Sequence, residues 1–258
     1  MTESKKPIKA LIVCKDSQDS KESGECHMLK HEGFEFLYSW KNTLTQNALK
    51  NVDIVIAIGG DGTILSASHY ILDAPILAVN SSPETSVGAL ATLSLKELPK
   101  KLDQIKQGSY KTEKLERIEV SINDCPLDHL VLNEVFIGNE KAYLISKYVL
   151  ELKNKKEKQL SSGIIVSTGT GSTAWFYSAG GKPFPKDSKF IKLIVREPYH
   201  SKLLKFSLIN EEIKEGDEIK IIPSSPSTLA VDSIREYKLN PEDTVKIKIS
   251  PHPLIRII

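Results

Sequence analysis

One stretch, Ile54 to Leu72, constrains the fold more than any other part of the chain. It reads IVIAIGGDGTILSASHYIL, a short apolar run followed by a glycine-rich turn and then by apolar residues three to four positions apart. The first pattern predicts a buried strand and the last predicts a helix. A buried strand that leads directly into a helix is half of a βαβ unit, which is typical of α/β folds with a mostly parallel sheet.

The first hundred residues repeat this alternation of strand and helix. Apolar or alternating runs predict strands at residues 8–13, 34–38, 52–58 and 75–79. Helical periodicity appears at residues 26–31, 44–50, 64–72 and 95–105. We therefore predict an α/β domain with a mostly parallel sheet over residues 1–108, which carries the GGDGT sequence at Gly59–Thr63.

The character of the sequence changes after Gly108, where strand-like runs separated by turn residues take over. This pattern predicts a β-rich domain over residues 109–258. A lysine-dense piece, Lys153–Lys158, falls between two of its strands and predicts a solvated hairpin tip rather than a binding patch. The candidate strands lie at residues 115–122, 130–137, 144–152, 163–167, 190–195, 218–222, 228–231 and 245–249.

Charge and hydropathy exclude several function classes. The 258 residues include 35 basic and 33 acidic ones, a formal charge of +2, so nothing global favours nucleic acid or a membrane surface. No apolar run approaches the roughly 18 residues that a membrane span needs. The N-terminus has no secretory pattern and the three cysteines are too scattered for a disulfide framework. We expect a cytoplasmic protein with small-molecule partners, no nucleic acid and no membrane.

The glycine-rich turn predicts a phosphate site. Glycines let the backbone approach a phosphate closely, and the free amides of a helix N-terminus point toward the anion. Asp61 would be repelled by that phosphate unless its carboxylate faces something else, such as an attacking hydroxyl or a magnesium ion held by the phosphates. The alternative is that Asp61 merely caps the helix after a tight Asp-Gly turn.

A second polar feature interrupts an apolar strand. Asn133 and Glu134 sit side by side within VLNEVFI, residues 131–137. Adjacent strand positions face opposite ways, so at least one of the two points into an apolar face, where an unsatisfied polar group costs about 1 to 3 kcal/mol. A ligand could satisfy it. An edge strand or a bulge with internal partners is the alternative.

A third stretch, Ser161–Gly181, reads SSGIIVSTGTGSTAWFYSAGG. Within it, Gly169-x-Gly171-x-x-Ala174 fits the dinucleotide fingerprint of dehydrogenases. The context does not fit, because Gly180 to Pro185 (GGKPFP) breaks any crossover helix before a second strand. The chain contains no Walker A sequence, so the turn at Gly59–Thr63 has to hold the phosphate donor.

Together these three stretches resemble the NAD kinase family. GGDGT alone is similar to a motif of NAD kinases, of diacylglycerol and sphingosine lipid kinases and, more loosely, of phosphofructokinases. The Asn133–Glu134 pair and the Gly-Ser-Thr-Ala turn at Gly171–Ala174 resemble the second and third NAD kinase signatures. Lipid kinases lack the latter. The resemblance runs from about Val52 to Ser233 and implies an α/β domain followed by a β-rich, NAD-binding domain.

The resemblance implies an enzyme that phosphorylates the 2'-hydroxyl of the adenosine ribose of NAD(H), giving NADP(H). ATP would be the donor, with Mg²⁺ carried by its phosphates and no metal site in the protein itself. Asp61 would be catalytic, accepting or orienting the ribose hydroxyl. Asp232, in a late Asp-Ser sequence, is either a binding residue or a plain turn acid. The expected nucleotide-binding residues are Gly60, Asp61, Gly62, Thr63, Asn133, Glu134, Thr170, Thr173, Ala174, Trp175 and Asp232.

Three departures from the common bacterial pattern resemble the mitochondrial and plant NADH-kinase branch. They are Ser161-Ser162-Gly163 in place of Gly-Asp-Gly, Trp175 in place of Tyr, and the altered loop at residues 80–88. They leave the choice between NAD and NADH open. The family resemblance also implies a homo-oligomer, a dimer or a tetramer. A lipid kinase and a nucleotide-binding regulator without catalysis are the alternative functions.

Overall fold

The computed structural model of the protein describes residues 6–15, 29–84, 88–199 and 205–258. The chain forms two compact units, Met1–Lys114 with Leu254–Ile258, and Leu115–Pro253. The predicted fold class, an α/β unit followed by a β-rich unit, is confirmed. The predicted division at residues 108 and 109 differs from the observed one, because two strands beyond it, one of them at the C-terminus, join the first sheet.

The first unit contains a seven-stranded sheet. Its strands are β1 (Ile8–Cys14), β2 (Phe34–Trp40), β3 (Ile54–Gly59), β4 (Ile76–Asn80), β5 (Leu93–Ser94), β6 (Thr112–Leu115) and β19 (Leu254–Ile257). The strand order is β2-β1-β3-β4-β19-β6, and β5 pairs with β4. Neighbouring strands from β2 to β4 are parallel, as are β5 and β19 to β4.

Among the described residues, two α-helices accompany this sheet, α1 (Asp61–Ser68) and α2 (Leu98–Lys106), with 3-10 turns at Gln46–Leu49 and Leu95–Glu97. Of the helix predicted at residues 26–31, residues 26–28 lie outside the described residues and residues 29–31 are not helical. Every residue of β3 and β4 is buried, as expected for parallel strands covered on both faces. Helix α2 buries Leu98, Leu102 and Ile105, one face of a helix of period 3.6. These side chains join the apolar core of the first unit.

The second unit consists of two six-stranded sheets whose strand pairs are antiparallel. The strands are β7 (Ile118–Ile122), β8 (Cys125–Pro126), β9 (Glu134–Asn139), β10 (Ser146–Leu152), β11 (Lys155–Ser161), β12 (Ile164–Ser167), β13 (Phe190–Val195), β14 (Asn210–Lys214), β15 (Ile219–Pro223), β16 (Ser227–Val231), β17 (Arg235–Leu239) and β18 (Val245–Ile249). The strand orders are β11-β10-β15-β18-β7-β8 and β14-β13-β12-β9-β16-β17. Apolar side chains from both sheets form one core.

The strands that the sequence analysis did not predict are largely polar. They include β11, β14 and β17, which lie at sheet edges. The lysine-dense piece is a hairpin, but its turn is confined to Lys153 and Asn154, both at positive φ, and the remaining lysines belong to β11. Strand β9 begins at Glu134 and not near Leu130, so Asn133 and Glu134 lie at the start of this strand and not at its centre.

Candidate functional site

The glycine-rich turn connects β3 to α1 as the sequence predicts. Gly59 must be a glycine, because a Cβ there would lie 2.5 Å from Thr63 Oγ1 and 2.8 Å from Thr63 Cβ. Gly60 is the N-cap residue in extended conformation; its carbonyl accepts from the amide of Thr63 at 2.9 Å, but it has no side chain that could accept from the other first amides of the helix. The helix N-terminus therefore presents backbone donors and the positive end of its dipole. The side chain of Thr63 is buried and packs against Gly59 of this turn.

Asp61 is the first residue of α1, and both of its carboxylate oxygens are hydrogen-bonded. The amide of Leu90 donates to Oδ1 at 2.9 Å and the amide of Ala89 donates to Oδ2 at 3.2 Å. These donors belong to a distant loop and not to the helix, so simple helix capping does not describe Asp61. A carboxylate offers about four acceptor positions, so two amides orient the group and leave capacity for a further donor.

In the second unit, three neighbouring strands bring another set of polar residues together. Glu134, at the start of β9, lies opposite Ser167, at the end of β12. On its other side, β9 pairs antiparallel with β16, whose last residue is Val231. The start of β9 and the ends of β12 and β16 therefore share one edge of the sheet, which we call the β9 edge. It carries Asn133, Glu134, Ser167, Thr168 and Asp232.

Asp232 holds the β9 edge in place. It is buried, and its carboxylate accepts hydrogen bonds from the amides of Leu132 at 2.9 Å, Asn133 at 2.7 Å and Glu134 at 3.0 Å. Its backbone adopts φ +50° in the turn after β16. This geometry favours the turn-acid alternative and gives Asp232 a positioning role, while direct contact with a nucleotide stays a prediction.

Three side-chain oxygens of the predicted binding residues are buried without a hydrogen-bond partner among the described residues. They are Asn133 Oδ1, Glu134 Oε2 and Thr170 Oγ1. Leaving a buried polar atom unsatisfied typically costs about 1 to 3 kcal/mol. Within the described ranges only two other residues, Arg117 and Ser225, contribute such an atom. The orphaned oxygens thus concentrate in two of the predicted motifs, which is expected where a ligand supplies the missing donors.

The raised pKa of Glu134 also indicates a functional site at the β9 edge. Only 3% of the residue is exposed, and burial raises the pKa of its carboxyl from the ordinary 4.5 to about 7, with the nearby Asp232 charge adding to the rise. The side chain of Ser233 opposes this shift. A carboxyl poised near neutral pH in a buried site is a functional-site signature.

The third motif is hydrogen-bonded to the backbone carbonyls of Leu132 and Asn133 at the β9 edge. The hydroxyl of Thr168 donates to the carbonyl of Leu132 at 2.5 Å, and the Thr168 amide donates to the carbonyl of Asn133 at 2.9 Å. A Cβ on Gly171 would collide with the backbone of Asn133. Gly171 is therefore required so that the segment carrying Thr170 can lie against Asn133.

After this segment come a 3-10 turn, Gly171–Thr173, and a single helical turn, α3 (Trp175–Ser178). Thr173 and Ala174 are exposed, as expected of residues that line a binding surface. Trp175 is half-buried and packs on Phe136, with ring centroids 4.8 Å apart. Contact of Trp175 with a nucleotide stays a prediction.

A cavity of about 400 Å³ lies beside Trp175 in the second unit. The Arg196 guanidinium lies over the rings of Trp175 and Phe136, at 5.6 and 5.8 Å from their centroids. Ser162 and Glu236 also line the cavity. The sequence analysis assigned no role to Phe136 or Arg196, although Phe136 lies two residues after Glu134 on β9, which would have been a usable signal.

The predicted residues therefore fall into two groups. Gly60, Asp61, Gly62 and Thr63 lie together in the first unit, and the others lie on or near the β9 edge of the second unit. Residues 85–87 of the altered loop lie outside the described residues. Within the part that the structure describes, no cluster of three or more His, Cys, Asp or Glu side chains could hold a metal ion. No helix there is long and apolar enough to cross a bilayer.

Comparisons with known proteins agree on one family. Residues 4–110 match the family model for the ATP-NAD kinase N-terminal domain, and residues 105–258 match that for the ATP-NAD kinase C-terminal domain. A probable NADH kinase of Oryza sativa subsp. japonica is 28% identical over 217 residues. NAD kinase 2 of Prochlorococcus marinus strain NATL2A is 32% identical over 209 residues. The alignments cover 76% and 77% of this chain and 66% of each relative.

Two solved structures share the fold. An NAD kinase from Archaeoglobus fulgidus in complex with ATP aligns with a TM-score of 0.73 at 23% identity, covering 96% of this chain and 93% of the other. Yeast NADH kinase complexed with NADH aligns with a TM-score of 0.81 at 17% identity, covering 98% of this chain and 84% of the other. At these identities the likeness concerns the fold alone.

Proposed function

The chain belongs to the ATP-NAD kinase family, and we propose that it transfers the terminal phosphoryl group of ATP to the 2'-hydroxyl of the adenosine ribose of NAD(H). The products are NADP(H) and ADP. The family sequence signatures, the relatives named NAD kinase and the polar geometry of the β9 edge support this assignment.

The observation that carries the proposal is the set of orphaned oxygens on Asn133, Glu134 and Thr170. Ribose hydroxyls and a nucleobase amine are donors of the kind these buried oxygens lack among the described residues. Asn133 also has an amide that can donate, so this residue can meet a hydroxyl in both roles. A buried carboxyl whose pKa is raised to about 7 is well suited to accept a hydrogen bond from a ribose hydroxyl.

Asp61 is the residue to which we assign the chemistry. Its carboxylate is oriented by the Ala89 and Leu90 amides and retains acceptor capacity for the attacking hydroxyl. In phosphoryl transfer the transition state is loose, so positioning and charge neutralisation matter more than the strength of the base. Gly60 and Gly62, at the N-terminus of α1, would bind phosphate oxygens through their amides.

Magnesium enters this reaction as part of the donor, since it accompanies the phosphates of ATP. When bound, it neutralises developing charge on the transferred group. Asp61 is the acidic residue of the glycine-rich turn and could also hold a water of that ion. The remaining contribution of the protein is to bind and orient the two nucleotides.

The test is direct. The purified chain is incubated with ATP, Mg²⁺ and NAD, and NADP is detected with an NADP-specific dehydrogenase. We expect steady NADP formation. Tight NAD binding without turnover would instead identify a nucleotide-binding regulator, and phosphorylation of a lipid hydroxyl with no NADP formed would identify a lipid kinase.

The preference between the two dinucleotides is measured in the same assay with NADH in place of NAD. Relatives named NADH kinase and NAD kinase are both similar to this chain. We propose that both forms are phosphorylated, in the cytoplasm, by a homo-oligomer. Light scattering at several protein concentrations tests the oligomeric state.

A further inference from the structure

The last strand of the chain carries a buried arginine that connects to the phosphate-binding turn. Arg256 lies on β19, and only 6% of its side chain is exposed. Its Nε and Nη2 both donate to Glu113 Oε1 on β6, at 2.8 and 2.5 Å. Its Nη1 donates to the carbonyl of Leu90 at 2.7 Å. One guanidinium therefore joins two strands of the sheet to the loop that contains Leu90.

Leu90 is also a hydrogen-bond partner of Asp61. Its carbonyl accepts from Arg256 and its amide donates to Asp61 Oδ1 at 2.9 Å. The loop closes on itself through the Ala91 amide, which donates to the carbonyl of Gly88 at 3.1 Å. Gly88 adopts φ +58°, and a Cβ there would lie 2.5 Å from Asn80 Nδ2, so a side chain is excluded. The segment at residues 88–91 is thus a tight turn fixed on one side by Arg256 and on the other by Asp61.

We propose that Arg256, held by Glu113, is a positioning residue for Asp61. It sets the orientation of the Leu90 peptide, and that peptide sets the orientation of the catalytic carboxylate. All groups of this chain of contacts belong to the first unit. The assignment rests on the proposed kinase activity, since its effect is read as turnover.

Arginine suits this task better than lysine. Its planar guanidinium presents several N–H groups in a fixed geometry, so it can bind a carboxylate on one side and a carbonyl on another. A lysine ammonium at this position would keep the charge that balances Glu113. It would not hold Glu113 and the Leu90 carbonyl in the same fixed relation. Arg256→Lys therefore separates positioning from charge.

The alternative is that the Arg256–Glu113 pair only stabilises the sheet. Loss of a structural pair lowers the melting temperature but leaves the turnover of the folded fraction unchanged. A positioning role predicts that kcat of the folded enzyme falls while KM for NAD changes little, because small displacements of a catalytic group can cost up to about a hundredfold in rate.

The experiment compares wild type, Arg256→Lys, Asp61→Asn and the double variant in steady-state kinetics with ATP, Mg²⁺ and NAD. We expect kcat of Arg256→Lys to fall about tenfold or more, with KM for NAD within about twofold of wild type. In the Asp61→Asn background, Arg256→Lys should lower kcat no further. The effects of two substitutions that act through the same group are not additive.

Arg117→Lys is the matched control. Arg117 is a fully buried arginine of the second unit, and its Nε donates to a backbone carbonyl, that of His252, at 2.7 Å. The Arg117→Lys variant should be less stable than wild type but should keep the wild-type kcat. If Arg256→Lys does not fold, Glu113→Gln, which keeps an acceptor oxygen for Arg256, should show a smaller fall of the same kind.

Three outcomes would overturn the inference: kcat of both Arg256→Lys and Glu113→Gln within twofold of wild type, the same fractional loss in the Asp61→Asn background, or an equal fall in Arg117→Lys. An inactive wild type would instead contradict the proposed function itself, so the two failures are distinguishable.

Discussion

The proposed functional carboxylates of the two units differ in burial and in hydrogen-bond partners. In the first unit, Asp61 is half-buried and both oxygens have backbone amide partners. In the second unit, Glu134 is buried, its pKa is raised, and Oε2 has no partner among the described residues. A group that is already oriented by two hydrogen bonds is suited to chemistry. A group that lacks a partner is suited to binding, because the ligand completes it.

This difference also separates stability from function. The β9 edge contains buried oxygens without a partner among the described residues, which the proposed nucleotide would satisfy, whereas the Asp61 carboxylate already has two amide partners. Variants of the first unit should therefore change turnover, and variants of the β9 edge should change affinity and stability. The following predictions are arranged from the largest expected effect to the smallest.

Asp61→Asn should lower kcat at least a hundredfold, equivalent to roughly 3 to 5 kcal/mol of barrier. The amide keeps the size of the carboxylate but removes the charge that orients or accepts the ribose hydroxyl proton. The protein should fold with KM for NAD close to that of wild type. A kcat within threefold of wild type, measured by NADP formation, would leave Asp61 with only a structural role.

Glu134→Gln should change the pH dependence of stability. The folded-state pKa of Glu134 is about 7 and its ordinary value is 4.5, so the folded protein binds the proton more tightly than the unfolded chain. Stability is therefore lost as pH rises from about 4.5 to 7, by roughly 3 kcal/mol in total. Glu134→Gln should not show this loss and should be more stable than wild type at pH 8.

Urea unfolding at several pH values measures this effect as the difference between variant and wild type. Glu151→Gln is the control, because the pKa of Glu151 is lowered, mainly by a hydrogen bond from Lys156. That variant should keep the wild-type loss of stability between pH 4.5 and 7. A parallel course of Glu134→Gln and wild type across this range would show that Glu134 is not buried as an acid.

Asn133→Leu should weaken NAD binding about tenfold, or about 1.4 kcal/mol, since it removes one hydrogen-bonding group of the pocket. Its melting temperature should stay the same or rise, because the orphaned Oδ1 is removed. Ser225→Ala removes another buried oxygen that lacks a partner within the described residues, away from the β9 edge. It should leave the Kd for NAD unchanged. Equal losses of affinity in both variants would contradict a specific role for Asn133.

Trp175→Phe should have the smallest effect, a severalfold rise of the Kd for NAD. The Phe ring keeps an aromatic contact with Phe136 and with the Arg196 guanidinium. The chain has two tryptophans, Trp40 and Trp175, and NAD should change the fluorescence of the second. An NAD-induced fluorescence change that persists in Trp175→Phe would place the reporter at Trp40.

The sequence predicts the elements that carry strong periodicity. The buried strands β3 and β4 are apolar at nearly every position and the helix α2 is apolar along one face, so the sequence predicts their burial. Strands β11, β14 and β17 are rich in charged residues because one of their sides faces no neighbouring strand. Edge strands carry charge to prevent aggregation, and this weakens their signal.

Contacts between distant residues are the part that sequence patterns do not predict. Asp61 is visible in its motif, but its amide partners at residues 89 and 90 depend on how the loop after β4 folds back. Similarly, Asp232 is nearly 100 residues from the amides that it binds. Arg256 lies outside the three predicted motifs. The sequence does not indicate its role, because that role depends on a C-terminal strand that returns to the first sheet.

The division of labour between the two units is tested most directly by thermal unfolding of wild type, Asp61→Asn and Asn133→Leu, each with and without saturating NAD. A ligand that binds only the folded state stabilises it by RT ln(1 + [L]/Kd), so at the same NAD concentration weaker binding gives a smaller rise of Tm. We predict that NAD raises Tm equally in wild type and Asp61→Asn, and clearly less in Asn133→Leu. An undiminished NAD-induced rise in Asn133→Leu, together with its loss in Asp61→Asn, would contradict the account.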